Sequence, residues 1–169
     1  MASSFSHLVV FHSPTIINLL LSRNINMKTI VETSLESDVS PDAVWAVIRK
    51  VDGIDQILPQ MVTQCSISEE VPSVGTQRYC TMQDGTQLEE EILILDDEAM
   101  RIQYSVYSDA LPFKDMVNTG TVERLESGRT KITWKSEFRP EGLSADEAKE
   151  MLTGMLKQSI VGYESAAIQ

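Results

Sequence analysis

Two hydrophobic rhythms run through the chain after residue 27, a strand rhythm of about 2 residues and a helix rhythm of about 3.6. Ile102, Tyr104 and Val106 alternate with Arg101, Gln103 and Ser105, while Ile132, Trp134, Ser136 and Phe138 alternate with Lys131, Thr133, Lys135 and Glu137. Each pattern predicts a strand with one buried and one wet face. Further strands are predicted over 28–36, 61–69, 78–82, 88–95 and 116–125. Asp84-Gly85, between two of these runs, signals a hairpin. A tight two-residue turn would set Cys80 opposite Glu89. A three-residue loop with a bulge would set it opposite Glu90 and gather Leu88, Ile92 and Ile94 on one face, and this is the register expected.

The helical rhythm appears in three places. Ser40 is suited to an N-cap, Pro41 to the first helical position, and Val44, Trp45, Val47 and Ile48 form an apolar face. A second short helix, 54–58, stops at Pro59. Ser144 and Glu147 form a capping box before a helix that runs to the C-terminus. Its predicted stripe is Ala148, Met151, Leu152, Met155, Ser159, Gly162, Tyr163 and Ala166. Gly154 and Gly162 each cost about 1 kcal/mol relative to Ala in a helix, which a close approach by a strand or ligand would explain. The order strand, two short helices, strands, long helix predicts an α+β domain.

Composition narrows the chemistry. The net charge of −11 over 169 residues leaves no basic stripe for nucleic acid or an anionic membrane surface. Both histidines, His7 and His12, precede residue 13, so the remainder cannot assemble a Ser-His-Asp, Cys-His or His-zinc site. Cys65 and Cys80 match no metal or disulfide spacing and are expected as buried free thiols, which favours a reducing compartment. The runs Glu89-Glu90-Glu91 and Asp96-Asp97-Glu98 place neighbouring carboxylates on alternate strand faces, so no metal is expected, and no cofactor.

Residues 1–26 hold no Asp or Glu and a single Arg, with apolar runs broken at Pro14 and too short to span a bilayer. They are read as a leader or disordered extension ahead of a domain over 27–169. The expected location is cytoplasmic, or organellar if that segment is a transit peptide.

Several local patterns, in order, resemble the SRPBCC or START-like superfamily over about residues 29–168. They are Ser40-Pro41-Asp42-Ala43-Val44-Trp45, Gly75-Thr76-Gln77-Arg78, Asp84-Gly85, Leu95-Asp96-Asp97-Glu98 before Tyr104-Ser105-Val106, and Thr133-Trp134-Lys135-Ser136-Glu137-Phe138. The chain looks most like the polyketide cyclase/dehydrase-like group. The resemblance implies a helix-grip fold: a curved antiparallel sheet of about seven strands around the long C-terminal helix. It differs from the abscisic-acid receptors of that superfamily, carrying Gln83-Asp84-Gly85-Thr86 at their gate and Thr63 in place of their hormone-binding lysine.

A sheet curled around a helix can enclose a mostly apolar pocket. The residues expected on its wall are Cys80, Met82, Glu90, Ile92, Ile94, Tyr104, Val106, Met116, Asn118, Trp134, Met151, Met155 and Tyr163, unless they fill a solid core. Arg78 and Glu90 form the sharpest polar pair, either facing inward or bridging at the cavity rim. Were the domain an enzyme, Glu90 would be the base, Arg78 would stabilise negative charge, and Tyr104 or Tyr163 would donate a proton. The Leu111-Pro112-Phe113 loop is a lid, a partner-binding spot or a packed turn. Binding or transport of a hydrophobic small molecule is the expected function, with a cyclase- or dehydrase-type enzyme as alternative and a regulatory interaction module third.

Overall fold

The computed structural model describes residues 28–169, and the leader expected over 1–26 lies outside the described residues. Strand β1 (Thr29–Ser37) leads into helices α1 (Pro41–Ile48) and α2 (Ile54–Ile57). Six strands follow: β2 (Val62–Ile67), β3 (Gln77–Met82), β4 (Gln87–Asp96), β5 (Arg101–Tyr107), β6 (Phe113–Arg124) and β7 (Thr130–Pro140). Helix α3 (Ala145–Ile168) closes the chain. The seven strands form one antiparallel sheet in the order β1-β7-β6-β5-β4-β3-β2. Each consecutive pair from β2 to β7 is thus adjacent, and only β1 crosses over, to pair with β7. This is the α+β architecture that the strand and helix order predicts and the helix-grip arrangement that the family resemblance implies.

Local chemistry sets the helix ends. Ser40 accepts a hydrogen bond from the Ala43 N–H at the start of α1, and Pro41 occupies its first turn. At α3 the Ser144 hydroxyl accepts from the Glu147 N–H while the Glu147 carboxylate accepts from the Ser144 N–H. Asp97 anchors α1 to the β4–β5 turn, its Oδ1 accepting from Trp45 Nε1 at 2.9 Å and Arg49 Nε at 2.6 Å. These bonds hold its carboxyl below the ordinary aspartate range. Asp96 instead ties the turn itself, accepting from the Glu98 and Ala99 N–H groups.

Four expectations are corrected. The β3–β4 loop is three residues, Gln83 to Gly85, one position earlier than expected, so Cys80 faces Leu88 and Arg78 faces Glu90. Gly85, at φ +86°, has to occupy the last loop position, where the left-handed conformation closes the turn; Gly85 N–H donates to Met82 O and Met82 N–H to Thr86 O. A bulge between Ile92 and Ile94 then reverses the face of β4: Ile92 faces Tyr104 inside, Ile94 pairs with Gln103, and Leu95 returns inward opposite Ile102. The helix stripe is also rotated. Ala148, Leu152, Leu156, Ile160 and Tyr163 are buried, whereas Met151 is 46% exposed.

The fourth correction concerns the thiols. Cys65 and Cys80 are directly opposed on β2 and β3, Cα atoms 4.3 Å apart, and form a disulfide. Their spacing of 15 residues is wide enough for the chain to turn and bring one strand beside the other. With the free thiols goes the argument they supplied for a reducing compartment. Cys65→Ser with Cys80→Ser is expected to lower unfolding free energy by about 2–3 kcal/mol, the loop-closure contribution of a cross-link of this span. Urea denaturation of the variant beside the oxidised protein tests this; equal midpoints would show that the bond adds nothing.

The two helical glycines have different surroundings. A Cβ on Gly162 would lie 2.3 Å from Leu58 Cδ2 and 3.0 Å from Ile57 O, so α2 requires that glycine. Nothing lies within 4 Å of the corresponding position at Gly154, and no close approach explains it.

Candidate functional site

Between α3 and the inner face of β3 to β6 lies a cavity of about 100 Å³. Strand alternation points Cys80 and Met82 of β3, Leu88 of β4 and Val106 of β5 into it, and Met116 of β6 adds a further wall. Helix α3 covers one side with Leu152, Met155 and Leu156, spaced to share a face. Ile54, Leu58, Met61 and Val62 close the α2 end, and Leu111 and Phe113 the β5–β6 end. Phe113 is fixed edge-on against Phe138 with ring centroids 5.1 Å apart, so Leu111 and Phe113 of the expected 111–113 loop form part of the wall.

The polar residues of the wall are Arg78, Glu90, Tyr104, Asn118, Ser159 and Tyr163. Arg78 and Glu90 face each other across β3 and β4, only 3% and 7% exposed, and Arg78 Nε donates to Glu90 Oε2 at 2.5 Å. The pair therefore lies inside the curve of the sheet, not at the cavity rim. Arg78 Nη1 also donates to the Val51 carbonyl at 2.8 Å. Val51 is buried with φ +62°, a conformation costing about 1–3 kcal/mol for a β-branched residue. The α1–α2 connection holds that strained carbonyl where the guanidinium needs a second acceptor.

Aromatic rings complete the polar end. Arg78 Cζ sits 4.8 Å from the Tyr104 ring centroid, a cation–π arrangement. Trp134 Nε1 donates to Tyr104 OH at 3.2 Å, and the indole stacks on Tyr163 with centroids 4.9 Å apart and planes 12° off parallel. Ser136 donates to Asn118 Oδ1, which orients the Asn118 amide from behind. Burial alone would pull the Arg78 pKa down, but the charge of Glu90, with the two tyrosines, more than compensates and the guanidinium is held more firmly protonated. Burial pushes the Tyr104 and Tyr163 phenols up, Arg78 opposing the rise in both, so both are neutral near pH 7.

Of the residues singled out in the sequence, Arg78, Cys80, Met82, Glu90, Tyr104, Val106, Met116, Asn118, Met155 and Tyr163 meet at this cavity. Four do not. Ile92 is wholly buried in the core beside it, and Trp134 lies one layer behind, where it positions Tyr104 and Tyr163. The β4 bulge turns Ile94 outward, and Met151 faces solvent on α3. Sequence reasoning missed Leu156, although the spacing 148, 152, 156, 160 is a straight four-residue ridge, while Leu152 and Ser159, placed on the helix stripe but not on the cavity wall, also line it. It also missed that α2, although expected as a helix, reaches the cavity through Ile54 and Leu58, which depends on how the α1–α2 turn is oriented. Among the described residues no His, Cys, Asp or Glu cluster could hold a metal ion, and no helix is long and apolar enough to cross a membrane.

The curved sheet gripping α3 around a cavity defines an SRPBCC-type helix-grip domain. Residues 28–166 match the family model described as polyketide cyclase / dehydrase and lipid transport, and the chain belongs to that family. Comparison with curated protein sequences returned no match. Similar solved structures include an uncharacterised protein of Bacillus thuringiensis, 22% identical over 83% of this chain and 99% of that one, with a TM-score of 0.71. XoxI of Bacillus cereus is likewise 22% identical with a TM-score of 0.71, over 83% of this chain and 96% of its own. A truncated norcoclaurine synthase of Thalictrum flavum is 18% identical with a TM-score of 0.70, over 85% and 95% of the two chains. At these identities the likeness is one of fold.

Proposed function

We propose that the protein binds a hydrophobic small molecule inside the cavity and acts as its carrier. The observation that carries this reading is a cavity wall made chiefly of Leu, Ile, Val, Met and Phe side chains, with its few polar groups including the buried pair Arg78 and Glu90. Four methionines, Met61, Met82, Met116 and Met155, line it, and flexible thioethers adapt to ligands of varied outline. Family membership, which spans lipid transport, supports the same reading.

Met155→Trp tests it, because the side chain is half-buried on α3 and its replacement directs an indole into the space. The neutral fluorophore N-phenyl-1-naphthylamine is expected to brighten on binding the unaltered protein, and the substitution to weaken binding at least about tenfold, the loss that excluding a bulky group from an apolar pocket brings. A folded Met155→Trp variant that binds the fluorophore unchanged would place the ligand elsewhere.

A cyclase- or dehydrase-type enzyme is the second reading, favoured by a buried carboxylate and two phenols facing one cavity. Two features weigh against it. Glu90 Oε2 already accepts from Arg78, and the raised phenols are poor proton donors near neutral pH.

A further inference from the structure

We propose that the cavity selects uncharged ligands bearing an oxygen acceptor, such as a ketone, ester or alcohol on an apolar body, and rejects ionised carboxylates of the same length. This rests on the binding reading above and specifies its ligand class.

The argument is one of charge and donors. Among the described residues lining the cavity, Arg78 and Glu90 are the only ionic side chains, and they neutralise each other at 2.5 Å. A cavity open to fatty acids would need a cation with no protein counter-ion, but here Arg78 is already paired and its Nη1 is held by Val51 O. An entering carboxylate would shed its hydration, meet Glu90 at close range and find no net positive charge. An entering ammonium would meet Arg78 in the same way. A neutral oxygen escapes both penalties. The donors at this end suit it: the Tyr163 hydroxyl, whose oxygen meets the Arg78 guanidinium while its own proton stays available, and the Asn118 amide, whose oxygen is occupied by Ser136 and whose N–H groups reach both Tyr104 and the cavity. Each donates to an acceptor without requiring it to be charged. The long apolar wall from Met82 to Leu156 takes the rest of the molecule.

Three probes of one chain length separate the possibilities: 2-octanone, octanoate and octylammonium, titrated at pH 7.5 against the full chain and followed by amide NMR shifts. The ketone is expected to shift cavity-lining residues and to bind at least about tenfold more tightly than either ion, since an uncompensated buried charge costs more than that. Glu90→Gln supplies the second measurement. With the carboxylate gone, Arg78 is released, and the ratio of octanoate to ketone affinity is expected to rise at least about tenfold. Octanoate binding as tightly as the ketone to the unaltered protein would overturn the charge argument and leave the carrier reading standing. Failure of all three probes to shift any cavity residue would overturn the carrier reading itself. Should Glu90→Gln not fold, the comparison of probes on the unaltered protein decides alone.

Discussion

Glu90→Gln is expected to lower the free energy of unfolding by about 3–5 kcal/mol, the cost of leaving one member of a buried ion pair without its partner. The substitution is nearly isosteric, so packing around β4 is kept and the effect isolates charge. Arg78 stays protonated because its ordinary pKa lies far above neutral and the adjacent Tyr104 face still favours the cation. Its guanidinium would then rest on the Val51 carbonyl and the ring alone. Replacing both partners, Arg78→Met with Glu90→Leu, is expected to recover most of the loss, because two apolar side chains remove both desolvation penalties together. Urea denaturation of the two variants beside the parent measures this. A double variant as unstable as the single one would mean that the pair's position, and not its charge, holds β3 to β4. A double variant that is stable but no longer distinguishes the ketone from the two ions would instead show that the ion pair is kept for what enters the cavity.

That pair also shows how far the sequence could be read. Alternation along β5 and β7 assigned their faces unambiguously, since a strand with one apolar face tolerates no slip of a single residue. The same alternation put Arg78 on the face of Cys80, and Glu90 on that of Leu88 and Ile92, but left open whether the pair turned inward or bridged at the cavity rim. Their direct opposition did not follow from it, because the β3–β4 register depended on whether Gly85 occupies the middle or the end of its loop, and both placements contain Asp84-Gly85 in a plausible turn. Ile94 was misplaced for a related reason: a bulge adds one residue without any obligatory sequence mark, and Ile92, Leu93, Ile94 and Leu95 are all apolar. On α3 the ambiguity came from methionine. Met151 and Leu156 both fit an amphipathic stripe, and only the crossing of α3 over the sheet buries one and exposes the other. The Cys65–Cys80 bridge depended on pairing between strands separated by a long loop, which no local pattern encodes.

Trp134→Ala is expected to cost about 3–5 kcal/mol, the range for removing a large aromatic from a tightly packed core. The indole is only 1% exposed, stacks on Tyr163, donates to Tyr104 and lies across Gly120, its cross-strand neighbour on β6. The last contact yields a sharper expectation than the first two. A Cβ built on Gly120 would stand 2.7 Å from Trp134 Cη2 and Cζ3, closer than carbon atoms approach, so Gly120→Ala alone should cost about 1–3 kcal/mol through overpacking. In the Trp134→Ala background that clash is gone, and the added methyl group meets open space and a residue better suited to a strand than glycine. There Gly120→Ala should cost less than about 0.5 kcal/mol or stabilise, giving a coupling of at least about 1 kcal/mol in a double-mutant cycle. Additive losses would mean that Gly120 is required by its own backbone geometry and not by the indole above it. The same cycle read through ligand affinity separates packing from positioning. If Trp134 acts on the site by orienting Tyr104 and Tyr163, Trp134→Phe should restore much of the stability lost in Trp134→Ala, since a ring still stacks on Tyr163. It should restore ligand affinity less well, since the hydrogen bond to Tyr104 OH is not replaced.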